Sequence, residues 1–387
     1  MAVTRKSLAV IATAIAVLSV GDMIAPAMAS ALPSGKDPLG QAIAGLPNDA
    51  ATGAQVRVGG TKGPHRVAAS GVADLRTKKS VKGDERFRAG SITKSFTASV
   101  VLQLVHERKL RLDGTVQHYL PGLLPASYDK VTVAELLNFT SGLPSADDYG
   151  DFLKDRYKTY GHWQLSKSHF NKPMLFKPGT EQHYANIDYN VLGLLIEKVT
   201  GRSYEQVVRE RIIKPLGLKD TYSPGNEAKI RGRHTEGYQA VKDPKTGKSH
   251  LVNVTDWNMS YTWASGDLIS TTADLERFMT ALFKGRLVPQ TELKLMFTVP
   301  KVKMHEDGQT DPSKAQDAHY SSGMSRVQIG KDTCIWGKTG STMGYLNAFG
   351  ATRDLSRTAV YSVNATDAKS QTPPAILGKI IKAAFVE

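Results

Sequence analysis

Gly90-Ser91-Ile92-Thr93-Lys94 is the stretch on which the reading turns. A turn-forming glycine hands the chain to a serine, and a lysine follows three residues on. From Phe96 to Leu110 the apolar residues Phe96, Val100, Val101, Leu104 and Val105 recur at helical spacing, uninterrupted by glycine or proline. This predicts a helix with Ser91 and Lys94 on one face at its start. A serine hydroxyl becomes a nucleophile only when a base takes its proton. A desolvated lysine at a helix N-terminus can be that base, because burial and the positive helix end both disfavour its charged form. Alone, the pattern reads more readily as a capping serine beside a solvated lysine, and the catalytic reading needs partners elsewhere.

Two later triplets supply partners. The first is Tyr184-Ala185-Asn186. In an extended segment residues i and i+2 point the same way, so Tyr184 and Asn186 are expected to face one cleft. A phenol between two ammonium groups has its pKa depressed, and Tyr184 could then relay the proton of Ser91. The second triplet is Lys338-Thr339-Gly340, followed by Ser341 and expected at the end of a strand. Gly340 lets backbone pass close to a ligand. Lys338 can attract a substrate carboxylate, with Thr339 and Ser341 as hydrogen-bond donors to it. The N–H groups of Ser91 and Ser341 make a candidate oxyanion hole, in which a single donor is worth about 3 kcal/mol.

In this order, Ser91-x-x-Lys94, Tyr184-x-Asn186 and Lys338-Thr339-Gly340 resemble the penicillin-recognising serine hydrolases. The middle motif resembles the branch holding class C β-lactamases and secreted actinomycete D-alanyl-D-alanine carboxypeptidases. The match extends through 138–144, 178–200, 215–222, 265–272 and 336–345. The resemblance implies an α/β (α+β) fold: an antiparallel sheet from both chain ends, flanked by helices, with a mostly helical lobe. The sheet lobe would comprise about residues 30–90 and 320–387, and the helical lobe about 91–319. It also implies an acyl-enzyme on Ser91, with Lys94 and Tyr184 moving protons, Asn186 positioning substrate and Lys338 completing the catalytic set. Thr339, Gly340, Ser341 and the pocket-lining Tyr261 would bind substrate. No metal or cofactor is implied.

The expected activity is that of a D-alanyl-D-alanine carboxypeptidase on wall stem peptides or other D-alanyl peptides, with β-lactams as acylating inhibitors or substrates. The alternatives are a class C-type β-lactamase, an esterase or D-amino-acid amidase, and a penicillin-sensing module without turnover. The chain departs from the carboxypeptidases at Lys338, where they carry histidine, and at Ala185, where they carry serine. Arg326 lies near their carboxylate-binding arginine but shifted by one residue, which reverses a strand side chain. It is therefore left out of the site.

The chain is 387 residues long, 41% hydrophobic and 22% charged, ordinary for a globular protein. Arg5 and Lys6, the apolar run Leu8 to Val20 and Ala27-Met28-Ala29 read as a signal peptide over residues 1–29, cleaved after Ala29. A retained anchor is the alternative reading. No later stretch approaches a membrane span, so a freely secreted protein is expected. Without residues 1–29 the chain carries 48 basic and 35 acidic residues, net +13. That charge favours anionic surfaces such as wall polymers, or simply solubility. The scattered basic residues lack the arginine clusters and stacking aromatics of a nucleic-acid binder. Cys334 stands alone, so no internal disulfide forms, and its neighbours Ile335 and Trp336 predict a buried thiol.

Strands are expected at 55–58 and 65–69 around the glycine-rich turn 59–63, and again at 322–329, 332–337, 345–352 and 358–363. Helices are expected at 39–44, 131–139, 190–199, 204–213, 273–283 and 374–385, with a strand pair within 231–248.

Overall fold

The computed structural model describes residues 37–144, 153–243, 245–306, 315–330, 333–370 and 374–386. The segment read as a signal peptide lies outside the described residues. From the N-terminal side come helix α1 (Pro38–Ala42) and strands β1 (Ala51–Gly59), β2 (Arg66–Gly71) and β3 (Phe87–Arg88). The middle of the chain supplies α2 (Thr93–His106), α3 (Val116–Tyr119), α4 (Val133–Leu137), α5 (His162–Ser168), β4 (Glu181–Gln182), α6 (Asn186–Thr200) and α7 (Tyr204–Val208). It continues with β5 (Tyr238–Lys242), β6 (Ser249–Asn253), β7 (Ile269–Ser270), α8 (Thr272–Phe283), α9 (Gln290–Met296) and β8 (Lys303–Met304). Last come β9 (Ser325–Gln328), β10 (Cys334–Thr342), β11 (Tyr345–Thr352), β12 (Thr358–Ala365) and α10 (Ala375–Phe385).

The main sheet has six antiparallel strands in the order β2-β1-β12-β11-β10-β9. Chain ends meet where β1 pairs with β12, Val56 opposite Tyr361. The two faces of the sheet are covered differently. On one, Ala54, Val56, Tyr361 and Val363 pack with Leu39 of α1 and Leu377 and Ile380 of α10. On the other, Phe349 and Val360 join the large core that runs through α2 and α8. Phe96 stacks on Phe278 with centroids 3.8 Å apart, and Phe278 meets Phe349 edge-on at 6.0 Å. Helix α2 thus lies sandwiched inside the molecule.

Burial of α2 on nearly every side is more than the expected stripe of apolar residues accounts for. Its remaining faces carry small hydroxyl residues, each of which finds an internal acceptor. Thr93 bonds to Gly90 O at 2.7 Å, Ser95 to Gly323 O at 2.6 Å, Thr97 to Ala264 O at 2.7 Å and Ser99 to Ser95 O at 2.7 Å. A buried hydroxyl costs little once bonded, so these positions tolerate full desolvation.

Several expectations are corrected. The helix expected from Asn190 begins four residues earlier, at Asn186, so the third residue of the second triplet is helical and Ala185 is the extended residue before it. The strand expected to stop near Lys338 continues to Thr342, because β11 pairs with it along its whole length. Cys334 is half-buried rather than buried. Its sulfur lies 2.7 Å from Gln328 Oε1 and 3.1 Å from Arg326 Nη2, beside the edge strand β9.

Candidate active site

Strand β3 delivers the chain to Gly90, whose φ of +57° lies in the left-handed region that favours glycine. A 3₁₀ turn, Gly90–Ile92, then presents Ser91 half-buried at the entrance to α2. Strand β10 passes directly behind this turn. A Cβ on Gly90 would lie 2.9 Å from Ser341 N, and one on Gly340 only 1.9 Å from Ala89 O. Two facing glycines therefore let the amide of Ser341 come up against Gly90, the residue before Ser91.

Lys94 is fully buried as the second residue of α2. Its Nζ lies 3.1 Å from Ser91 Oγ, 2.7 Å from Asn186 Oδ1 and 2.8 Å from Ser265 O. Asn186 reaches it from the first residue of α6. The carbonyl of Ser265 is available because Gly193 of α6 lets the 263–265 turn close in: a Cβ there would meet Ala264 Cβ at 2.6 Å. Burial and the neighbouring Lys338 hold the Lys94 pKa well below that of an ordinary lysine, against the pull of Asp188.

Lys338 projects from β10 into the same space and is 3% exposed. Its Nζ donates to Thr339 O at 3.0 Å, and burial brings its pKa down to about 7. The amine is thus an internal group. Beside it His319 is held down to about 4 by burial and by the charge of Lys338.

The ring of Tyr184 lies between the two amines, 4.9 Å from Lys94 Nζ and 4.8 Å from Lys338 Nζ, and packs on Phe139 and Tyr320. The expected depression of its pKa is reversed. Burial raises it, and only Ser91 pulls the other way. The physical reason is that the flanking amines are themselves desolvated toward neutrality, so no pair of cations is left to stabilise a phenolate. The hydroxyl is buried and makes no aligned hydrogen bond among the described residues.

Thr339 is exposed on β10, whereas Ser341 directs its hydroxyl to Ala368 O at 2.9 Å. Of the two side-chain donors expected to meet a ligand, Ser341 is engaged and Thr339 makes no hydrogen bond among the described residues. Tyr261 ends a 3₁₀ turn, Met259–Tyr261, in an apolar group with Trp257, Met259 and Met343, the last two residues beyond Ser341. It is half-buried on the flank of β10. Arg326 is exposed, with its guanidinium on Gln328 and Cys334, four residues along β10 from Lys338.

Sequence reasoning missed two contributors. Ser265 acts through its carbonyl, which its side-chain type cannot advertise. Asp188, in the first turn of α6, looks like an ordinary acidic residue at a helix start. It is in fact fully buried, accepts from Ser141 at 2.5 Å, and burial raises its pKa well above the carboxylate range.

A serine hydroxyl, a desolvated amine and a phenol brought together at one cleft are the parts of a serine acyl-transfer site. The chain belongs to the Beta-lactamase family, whose model matches residues 25–377, and it is a serine hydrolase of the penicillin-recognising superfamily. A D-stereospecific amidohydrolase from Streptomyces sp. has a TM-score of 0.74 at 31% identity, covering 90% of this chain and 98% of that one. The D-amino acid amidase of Ochrobactrum anthropi SV3 in complex with D-phenylalanine has a TM-score of 0.72 at 26% identity, covering 86% and 94%. Penicillin-binding protein 4 of Amycolatopsis lactamdurans is 34% identical over 168 residues, 41% of this chain and 42% of the relative. Protein flp of Staphylococcus aureus (strain MW2) is 27% identical over 212 residues, 54% and 41%. The chain therefore spans about two-fifths of the length of these two curated relatives.

Proposed function

We propose that this protein is a secreted serine peptidase that removes D-alanine from D-alanyl-D-alanine-terminated wall peptides through an acyl-enzyme on Ser91. The observation that carries the acyl transfer is the set of contacts around Lys94. A neutral amine has two N–H bonds and one lone pair. With the N–H groups donated to Asn186 Oδ1 and Ser265 O, the lone pair is left for the proton of Ser91.

Ser91 Oγ bonds to the substrate carbonyl carbon while its proton passes to Lys94, and the oxyanion rests on the Ser91 and Ser341 amides. Tyr184, un-ionised and with an uncommitted hydroxyl, gives its proton to the departing amine as the C–N bond breaks. The phenolate left behind sits beside the newly charged Lys94, which returns a proton to it. Water then reverses the sequence to free the acid. The amide NH₂ of Asn186 is available to position the acyl group, and Thr339 with Tyr261 lines its path.

The relationship to a penicillin-binding protein supports the peptidase reading and β-lactams as acylating agents. The amidase structures, matched over nearly their whole length, favour a second reading as a D-amino-acid amidase. The basic-apolar-small opening of the chain supports export with cleavage after Ala29. Mass spectrometry after incubation with benzylpenicillin, an N-acylated D-alanyl-D-alanine peptide and D-phenylalaninamide separates these readings. Release of D-alanine and a long-lived penicilloyl adduct, lost in Ser91→Ala, is the expected result. Amide turnover without D-alanine release would replace the peptidase by an amidase, and rapid penicillin turnover by a β-lactamase.

A further inference from the structure

Lys94 meets two side chains, Ser91 and Asn186, and one main-chain oxygen, that of Ser265. A carbonyl is aimed only by the fold of its own segment, so the 263–265 turn has to be held from outside. Its backbone is not relaxed. Trp263 has φ +39°, in the left-handed region that a bulky residue adopts only where its surroundings impose it.

Four helices impose it. From α2, the Thr97 hydroxyl donates to Ala264 O at 2.7 Å and lies 2.8 Å from the Tyr204 hydroxyl. From α6, Gly193 leaves room for the indole, since a Cβ there would meet Trp263 Cζ3 at 2.8 Å. From α5, His162 stacks on the indole with centroids 3.7 Å apart. From α7, Tyr204 meets it edge-on at 5.4 Å, and Glu205 Oε1 accepts its N–H at 3.0 Å. Trp263 is buried and the N–H is the one polar group of its side chain, so the Glu205 carboxylate both satisfies a buried donor and fixes the rotation of the ring. Glu205 is the second residue of α7, where an acidic side chain would stabilise a helix start with no further duty. Its bond to the indole gives it one.

We propose that Glu205 is a positioning residue for acyl transfer: through the Trp263 indole it holds the 263–265 turn so that the Ser265 carbonyl engages Lys94 and leaves the lone pair of the amine directed at Ser91. The inference rests on the acyl-transfer reading of Ser91. It adds a chain of contacts, from Glu205 to Trp263 and from Ser265 to Lys94, in which Glu205 touches neither the nucleophile nor its base. Without the anchor the strained turn relaxes and the carbonyl withdraws. The N–H it engaged is then free to rotate into the place of the lone pair.

Acylation of Ser91 followed over a range of benzylpenicillin concentrations separates the acylation rate constant from the affinity of the complex that precedes it. Trp263→Phe, which keeps a ring and loses the N–H, and Glu205→Ala should each lower the rate constant about 10- to 100-fold and change the affinity less than about threefold. Glu205→Gln keeps an acceptor and loses the charge at the helix start, and should stay within about threefold of wild type. The double variant of Trp263→Phe with Glu205→Ala should be no slower than the slower single variant. Crystal structures of the two single variants should show Ser265 O beyond hydrogen-bond distance of Lys94 Nζ. Unchanged acylation in both, losses confined to affinity, losses that multiply in the double variant, a Glu205→Gln as slow as Glu205→Ala, or the Ser265–Lys94 contact intact in both structures would each overturn the inference. Should Trp263→Phe or Glu205→Ala fail to fold, the other decides together with Glu205→Gln. If benzylpenicillin leaves wild-type Ser91 unacylated, the β-lactam reading falls, and the Ser265–Lys94 distance in the variant structures decides this inference by itself.

Discussion

Replacing Lys338 by methionine should flatten the dependence of stability on pH. In the native protein burial brings the Lys338 pKa down to about 7, against about 10.4 for a lysine in an unfolded chain. Between these values the unfolded chain binds a proton that the native state does not, so this group makes stability rise with pH. Below about pH 7 both states are protonated and the full cost of burying the charge is carried. The slope is at most about 1.4 kcal/mol per pH unit, and from pH 7.5 to 9.5 Lys338 alone contributes a rise of roughly 2.5 kcal/mol. The side chain is 3% exposed, so solvent screening takes little from this figure. Urea unfolding at half-unit intervals over that range measures it, as the difference between the slopes of wild type and Lys338→Met. Parallel slopes would refute the reasoning, since they would mean that the native amine stays charged and the cleft is wetter than its packing indicates.

Three further outcomes follow from the same geometry. Tyr184→Phe removes a buried hydroxyl with no aligned partner, so the thermal midpoint should hold or rise while Ser91 acylation by benzylpenicillin slows about 10²- to 10⁴-fold. A drop in stability together with unchanged acylation would oppose the role given to the phenol. Gly340→Ala would set a Cβ 1.9 Å from Ala89 O, and should cost about 1–3 kcal/mol in denaturant titration and abolish acylation. Lys94→Met should slow acylation about 10²- to 10⁴-fold at every pH from 6 to 9, whereas recovery at high pH would point to a different base for Ser91.

The reading of Cys334 shows how local sequence misleads. Ile335 and Trp336 are buried as their apolarity suggests, but Cys334, the first residue of β10 and paired with the edge strand β9, is only half-buried. Asn186 shows a gentler failure. The alternation argument for Tyr184 and Asn186 assumed a strand, and the helix begins at Asn186 instead. Its side chain still reaches Lys94, because the first turn of α6 opens toward the start of α2.

By itself the sequence determined the chemistry that could assemble. Ser91 and Lys94, three residues apart at a helix start, are neighbours by backbone geometry alone, and glycines at 90 and 340 mark where chains must pass closely. The hairpin of β1 and β2 and the strands of the C-terminal third were readable because alternation and turn residues act over a few positions. Only the tertiary structure decided the charge states and the division of labour. Whether Tyr184 ionises, whether Lys338 faces water and whether a carbonyl from residue 265 meets Lys94 depend on desolvation by groups far apart in the chain. Desolvation is a property of the assembled surroundings, so no local pattern around Lys338 or Tyr184 encodes it.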